Sequence, residues 1–130
     1  MVKKINVIIV DDERPARMFL VSLLKNIEQV NIVGEANNGI EALDLIEQHK
    51  PDLVFLDVQM PGLTGFEVVQ NIKTPQMPLI VFVTAYDEYA IQAIELNAIN
   101  CLLKPVELSK LKETILHVGN YLGHTNGTSL

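Results

Sequence analysis

The chain alternates short, mostly uninterrupted apolar runs with longer stretches in which apolar residues recur every three or four positions. The runs at Ile5 to Val10, Asn31 to Glu35, Leu53 to Leu56, Leu79 to Val83 and Asn100 to Leu103 are rich in Val, Ile and Leu. A strand with one wet face alternates polar and apolar residues, and a strand covered on both faces does not. These runs therefore predict five strands buried on both sides. Between the first two, Ala16, Phe19, Leu20, Leu23, Leu24 and Ile27 trace one face of a helix, with Pro15 in its first turn, where a missing N–H is tolerated. Asn38 with Glu41, and Thr64 with Glu67, have the spacing of capping boxes. They predict a second helix burying Ala42, Leu43 and Ile46 and a third burying Phe66, Val69 and Ile72. Asp87 is placed to start a fourth through Ala90, Ile91 and Ile94, and Leu108, Leu111, Ile115, Val118 and Leu122 mark a fifth.

Five strands alternating with five helices predict an α/β fold, a parallel sheet with helices on both faces. A chain of 130 residues holds one such core and no second one. The domain is expected to span residues 1–121. Residues 122–130, polar and aperiodic, are expected to form a flexible tail or the start of a linker to an output domain outside this sequence.

Composition narrows the partners. With 48% apolar and 20% charged residues the chain is an ordinary globular one, and its net charge of −6, with no block of Lys or Arg, argues against direct nucleic-acid binding by this domain. No segment approaches the ~20 apolar residues of a membrane span. The apolar run after Lys3 and Lys4 is cut off by Asp11 and Asp12 after about six residues, too early for a secretory signal. Cys101 is the single cysteine, so no intrachain disulfide exists. A cytoplasmic domain is expected, which makes the sequon Asn126-Gly127-Thr128 a chance match. His49, His117 and His124 are scattered and read as surface residues.

Charge at the strand ends carries the chemistry. The first strand closes on VIIVDDE, residues 7–13, and two carboxylates about 4 Å apart repel by roughly 4 kcal/mol at an effective dielectric of 20. In an open parallel sheet, ligands bind beyond the carboxyl ends of the strands. Asp11 and Asp12 follow the first strand, Asp57 the third, Thr84 the fourth and Lys104 the fifth. Singly, each is a helix cap, a turn former or a solvated charge. Together they bring three carboxylates, a hydroxyl and an ammonium to one edge. Three carboxylates without His or Cys suit a hard divalent ion such as Mg²⁺, which is expected to offset the repulsion. Metal, ammonium and hydroxyl are what an incoming phosphoryl group needs around its oxygens, with Asp57 best placed as nucleophile for an aspartyl phosphate.

The segments VIIVDDE, LVFLDVQMPGLTGFE, VFVTAYDE and LLKP resemble the receiver domain of two-component response regulators, over residues 5 to 120. DDERPAR and TAYDEYAIQAIELNA are most similar to receivers of LytTR-type transcription regulators. The resemblance implies a flavodoxin-like (βα)5 fold with strand order 2-1-3-4-5. It implies that Asp57 accepts the phosphoryl group, from a histidine kinase or a small phosphodonor, with the receiver catalysing its own phosphorylation and dephosphorylation. Asp12, Asp57 and the main-chain carbonyl of Gln59 would hold Mg²⁺, Asp11 would act through water, and Thr84 and Lys104 would contact the phosphoryl oxygens. Lys104-Pro105 would be cis. Gln59 and Tyr86 would border the path of attacking water, with Tyr86 expected to shield the phosphoryl group. The fourth helix, fifth strand and fifth helix would form an output and homodimer surface, here including Asp87, Glu88, Glu95, Lys110, Lys112 and Glu113. One position departs from the pattern: Cys101 stands where the family carries Tyr or Phe, and it is expected to act as a small buried hydrophobe.

Other classes fit less well. A dehalogenase-type phosphatase needs a second acid two residues beyond its nucleophile, where this chain has Gln59. A flavin-binding relative needs a Ser-, Thr- and Gly-rich phosphate loop in place of DDERPA, and no P-loop is present. The remaining alternative is a protein-interaction module of receiver fold that works without phosphorylation.

Overall fold

The computed structural model describes residues 4–123. Five strands alternate with helices along the chain: β1 (Ile5–Val10), α1 (Arg14–Leu24), β2 (Val30–Ala36), α2 (Gly39–His49), β3 (Leu53–Asp57), α3 (Gly65–Gln70), β4 (Leu79–Thr84), α4 (Ala90–Glu95), β5 (Asn100–Leu103) and α5 (Leu108–Gly123). A single 3-10 turn, Asp87–Tyr89, precedes α4. All strand pairs are parallel, in the order β2-β1-β3-β4-β5, as expected. The five apolar runs coincide with the strands to within a residue at each end.

The unbroken apolar runs have their cause in two cores, one on each face of the sheet. Ile5, Val7 and Ile9 of β1, with Leu53 and Phe55 of β3, pack with Leu20 and Leu24 of α1 and Leu111, Ile115 and Val118 of α5. Ile8 and Val10, with Val54 and Leu56, face Ala42 and Ile46 of α2, Phe66 and Val68 of α3 and Ala93 of α4. Side chains alternate between the faces, and because both faces of the central strands are covered, Leu53 to Leu56 of β3 and Leu79 to Val83 of β4 are wholly apolar and Asn6 is the one polar residue of β1. The edge strands β2 and β5 are buried only in part and expose Asn31, Glu35 and Asn100, so the expected burial on both sides holds for the central three strands and not for these two.

The predicted starts of α2 and α3 hold. Asn38 accepts the Glu41 N–H at 2.8 Å, although the Glu41 carboxylate returns to the N–H of Asn37 rather than to that of Asn38. Thr64 and Glu67 form the full reciprocal box. Six residues stand differently from expectation. Ile27 is buried but lies beyond the end of α1, and Ile72 lies beyond α3. Phe19 and Leu108 are exposed, while Leu20 and Leu24 of α1 and Leu111, Ile115 and Val118 of α5 make the core contacts of these helices. Asp87 caps no α-helix; it opens the 3-10 turn. That turn winds three residues per turn instead of 3.6 and rotates the helix that follows. In the helix that follows, Ala93 is buried and Ile94 is 72% exposed.

The helix α5 runs to Gly123, so the expected tail overlaps its last turn, and residues 124–130, including His124 and the sequon, lie outside the described residues. His49 and His117 are exposed, as expected. No helix among the described residues is long and apolar enough to cross a membrane.

Candidate functional site

Register brings the polar strand ends together. Asp57 pairs with Val83 and Thr84 with Leu103, so β3, β4 and β5 finish at one level. The N–H of Lys104 continues the ladder by donating to the Thr84 carbonyl at 2.8 Å, and the next peptide bond, Lys104-Pro105, is cis. The segment after β3 folds back tightly: the Gly65 N–H donates to the Val58 carbonyl at 2.8 Å, seating α3 against the end of the strand. A Cβ on Gly65 would stand 2.3 Å from the Asp57 carbonyl oxygen, which explains the glycine here.

The expected cluster is present. One carboxylate oxygen from each of Asp11, Asp12 and Asp57 lies within 4.8 Å of the others. Asp11 and Asp57 are buried and Asp12 is the more open of the three. The Lys104 ammonium reaches Asp11 at 2.8 Å, Asp57 at 3.5 Å and Glu13 at 3.8 Å. Lys104 thus bridges Asp11 and Asp57, so an ammonium offsets part of the negative charge at this edge, beside the divalent ion expected between Asp11 and Asp12. Asp11 is held further by the Glu13 N–H, which donates to its Oδ1 at 2.9 Å, and Arg17 donates to its carbonyl at 2.7 Å.

The electrostatics follow from this packing. Burial, joined by the neighbouring charge of Asp11, raises Asp57 from an ordinary 3.8 to about 7, against the pull of Lys104. Burial works against the Lys104 charge, but its hydrogen bond to Asp11 and the attraction of Asp57 and Asp11 outweigh it and hold the ammonium above its ordinary pKa. The site is thus acidic, short of positive charge and hydrated poorly at its floor, which is a setting that favours a bound cation.

Thr84 is buried, and its Oγ1 accepts the Tyr86 N–H at 3.2 Å. Gln59 is exposed, and its amide donates to the Tyr89 hydroxyl at 2.8 Å. Tyr86 is 48% exposed, its ring edge-on to Tyr89 at 6.1 Å. Cys101 is half-buried against the α2–α3–α4 core, and burial pushes its thiol up, which favours the unreactive protonated form and agrees with its reading as a small hydrophobe. Sequence reasoning missed Tyr89, Arg17 and the Glu13–Lys104 pair. For Glu13, three consecutive acids beside a strand end were a usable signal; for Tyr89 and Arg17 none existed.

Residues 7–116 match the response regulator receiver domain family. The chain is 48% identical over 111 residues to an uncharacterized response regulatory protein of Vibrio cholerae, covering 85% of this chain and 47% of that protein. It is 46% identical over 111 residues to the transcriptional regulatory protein BtsR of Salmonella typhi, covering 85% of this chain and 46% of BtsR. It thus spans about half the length of the curated relatives it matches. Among solved structures it superposes on the response regulatory domain of mrkE from Klebsiella pneumoniae with a TM-score of 0.82, 36% identity, and coverage of 89% of this chain and 96% of that one. A CheX-CheY-BeF3-Mg complex from Borrelia burgdorferi matches with a TM-score of 0.80 and 25% identity, covering 89% of this chain and 90% of that one.

Proposed function

The chain belongs to the response regulator receiver domain family, and from that premise we propose that it accepts a phosphoryl group on Asp57 from a sensor histidine kinase and controls an output through the resulting change of conformation. The observation that carries this reading is the grouping of Asp57 with Asp11, Asp12 and Lys104, inside hydrogen-bonding and ion-pairing distances, at the strand edge where Thr84 also ends.

Oxygen donors alone, three of them carboxylates, fit Mg²⁺, which keeps several waters and takes few protein ligands. Asp12, Asp57 and the Gln59 carbonyl would hold the ion, with Asp11 acting through water. When bound, it would offset negative charge on the phosphoryl oxygens. The chain supplies the rest. Asp57, once ionised, is the nucleophile, and Lys104 places a positive charge 3.5 Å from it. The Thr84 hydroxyl can turn to donate to a phosphoryl oxygen. Beside this edge lies a cavity of about 390 Å³, largely apolar, where Phe19, Leu20, Pro105 and Val106 line the wall next to Asp11 and Lys104.

The output is proposed to be transcription, through a LytTR-type DNA-binding domain outside these 130 residues. The motifs DDERPAR and TAYDEYAIQAIELNA support this, as do relatives of about twice the length named as transcriptional regulators. The switching surface is α4, β5 and α5. Ile94 and Leu103 are exposed there among the acids Asp87, Glu88 and Glu95 and the bases Lys110 and Lys112, a pattern that two copies can satisfy reciprocally about a twofold axis.

The test is intact mass after incubation with acetyl phosphate, with and without Mg²⁺, for the wild-type chain and Asp57→Ala. A metal-dependent gain of one phosphoryl group, absent from the variant, is expected. No gain in the folded wild-type chain would favour an interaction module that works without phosphorylation.

A further inference from the structure

The exits of β3 and β4 frame the acceptor, one delivering Asp57 and the other Thr84. Beyond them the two segments are rejoined by a side-chain contact, the 2.8 Å hydrogen bond from the Gln59 amide to the Tyr89 hydroxyl. Gln59 follows Asp57 by two residues and Tyr89 follows Thr84 by five, so this contact ties together the segments that leave β3 and β4 just beyond the acceptor and the hydroxyl. Tyr89 is anchored from the core. Its ring meets Phe66 edge-on at 5.7 Å, and Phe66 in turn meets the fully buried Phe82 of β4 at 4.9 Å. On the other side of the mouth, Lys104 reaches across to Asp11 and Glu13.

We infer that Tyr89 is a positioning residue for the lifetime of the aspartyl phosphate: its hydroxyl holds Gln59 across the β3–β4 side of the mouth and restricts the approach of water. The inference rests on the phosphoacceptor reading above. Loss of the group is hydrolysis. A water oxygen bonds to phosphorus as the bond from phosphorus to Asp57 Oδ breaks, the electron pair returns to the carboxylate, and inorganic phosphate leaves with the water's protons. Without the Tyr89 oxygen the Gln59 side chain is released and water gains access. Tyr86, the residue expected from sequence to act as the shield, lies outside this bridge and touches it through the Tyr89 ring.

The test follows loss of the phosphoryl group by intact mass after removal of acetyl phosphate, in Mg²⁺, for wild type, Tyr89→Phe, Gln59→Ala and the double variant. Tyr89→Phe keeps the ring and its packing and removes one oxygen. It is expected to lose phosphate roughly two- to tenfold faster, the rate equivalent of one modest hydrogen bond. Gln59→Ala is expected to do the same, and adding Tyr89→Phe to it to change nothing more, because the hydroxyl acts through the amide. An unchanged melting temperature in Tyr89→Phe would tie the difference to the site. Equal lifetimes in wild type and Tyr89→Phe, or the same acceleration with and without Gln59, would overturn the inference alone. Failure of the wild-type chain to take up a phosphoryl group would overturn the parent reading and this one with it.

Discussion

Asp57 carries opposing demands at the scale of a single residue: it must be buried to exclude water and ionised to attack phosphorus. Burial and the charge of Asp11 lift it from 3.8 to about 7, so without metal it holds a proton in the native state that the unfolded chain releases. Between about pH 4 and pH 7 the native state therefore binds more protons than the unfolded one, and this group's contribution to stability falls as pH rises through that window. Removing the charge should remove the loss. Asp57→Asn is expected to melt higher than wild type at pH 8 without Mg²⁺, by about 4 °C for each kcal/mol gained in a domain of this size, and the gap should narrow at pH 5. Added Mg²⁺, which favours ionised carboxylates, should raise the wild-type melting temperature more at pH 8 than at pH 5 and the variant's little. Thermal melts at the two pH values check all of this; a variant no more stable than wild type at pH 8 would contradict the buried-charge account. Asp11, Asp12, Asp57 and Lys104 were legible in the sequence because they follow apolar runs, and parallel strands finish on one edge. Tyr89 was not, because its place depends on a 3-10 turn and on Phe66 and Phe82 arriving from two other elements.

The decisive joint between elements is α3 on β3. Gly65 brings the helix so close that a Cβ would overlap the backbone of Asp57 and Val58, and backbone cannot rotate aside as a side chain can. Gly65→Ala is expected to destabilise the fold by about 1–3 kcal/mol, as overpacking does, and to displace the acceptor loop with it. Gly119 of α5 has open space at its Cβ position, so Gly119→Ala is expected to stabilise by roughly 0.5–1 kcal/mol through helix propensity. Denaturant melts of the two variants, with opposite signs expected, check this joint. Among the elements, β1, β3 and β4 were readable because burial on both faces leaves them almost wholly apolar, and the half-exposed β2 and β5 were readable as short apolar stretches between helical patterns. The helix α4 was readable as a helix, but its buried residue is Ala93 and not Ile94 of the apolar series, and the 3-10 turn that opens it left no signal in the apolar periodicity. Exposed Ile94 belongs to the face proposed above to be covered when a second copy docks.

For the whole molecule, the question is whether one phosphoryl group suffices to switch it. Moving an equilibrium from 1:99 to 99:1 takes roughly 5.5 kcal/mol of differential stabilisation, and hydrogen bonds to charged groups contribute roughly 1.5–3 kcal/mol each. Contacts from Thr84 and Lys104 reach that figure only if both form solely in the active state. Lys104 is already paired with Asp11 and Asp57 before any phosphoryl arrives, so its net gain is smaller and the expected response is a partial shift of population. The order of strands and the site edge were recoverable from sequence and resemblance because both are properties of the whole sheet; the preformed Lys104 bridge depends on side-chain reach across it and was not. All of this depends on which of three neighbouring carboxylates forms the covalent bond. Borohydride reduces an aspartyl phosphate to homoserine, and peptide mass spectrometry of the chain after acetyl phosphate treatment then locates it. The account predicts homoserine at position 57, dependent on Mg²⁺; homoserine at position 11 or 12, or at none of the three, would contradict it.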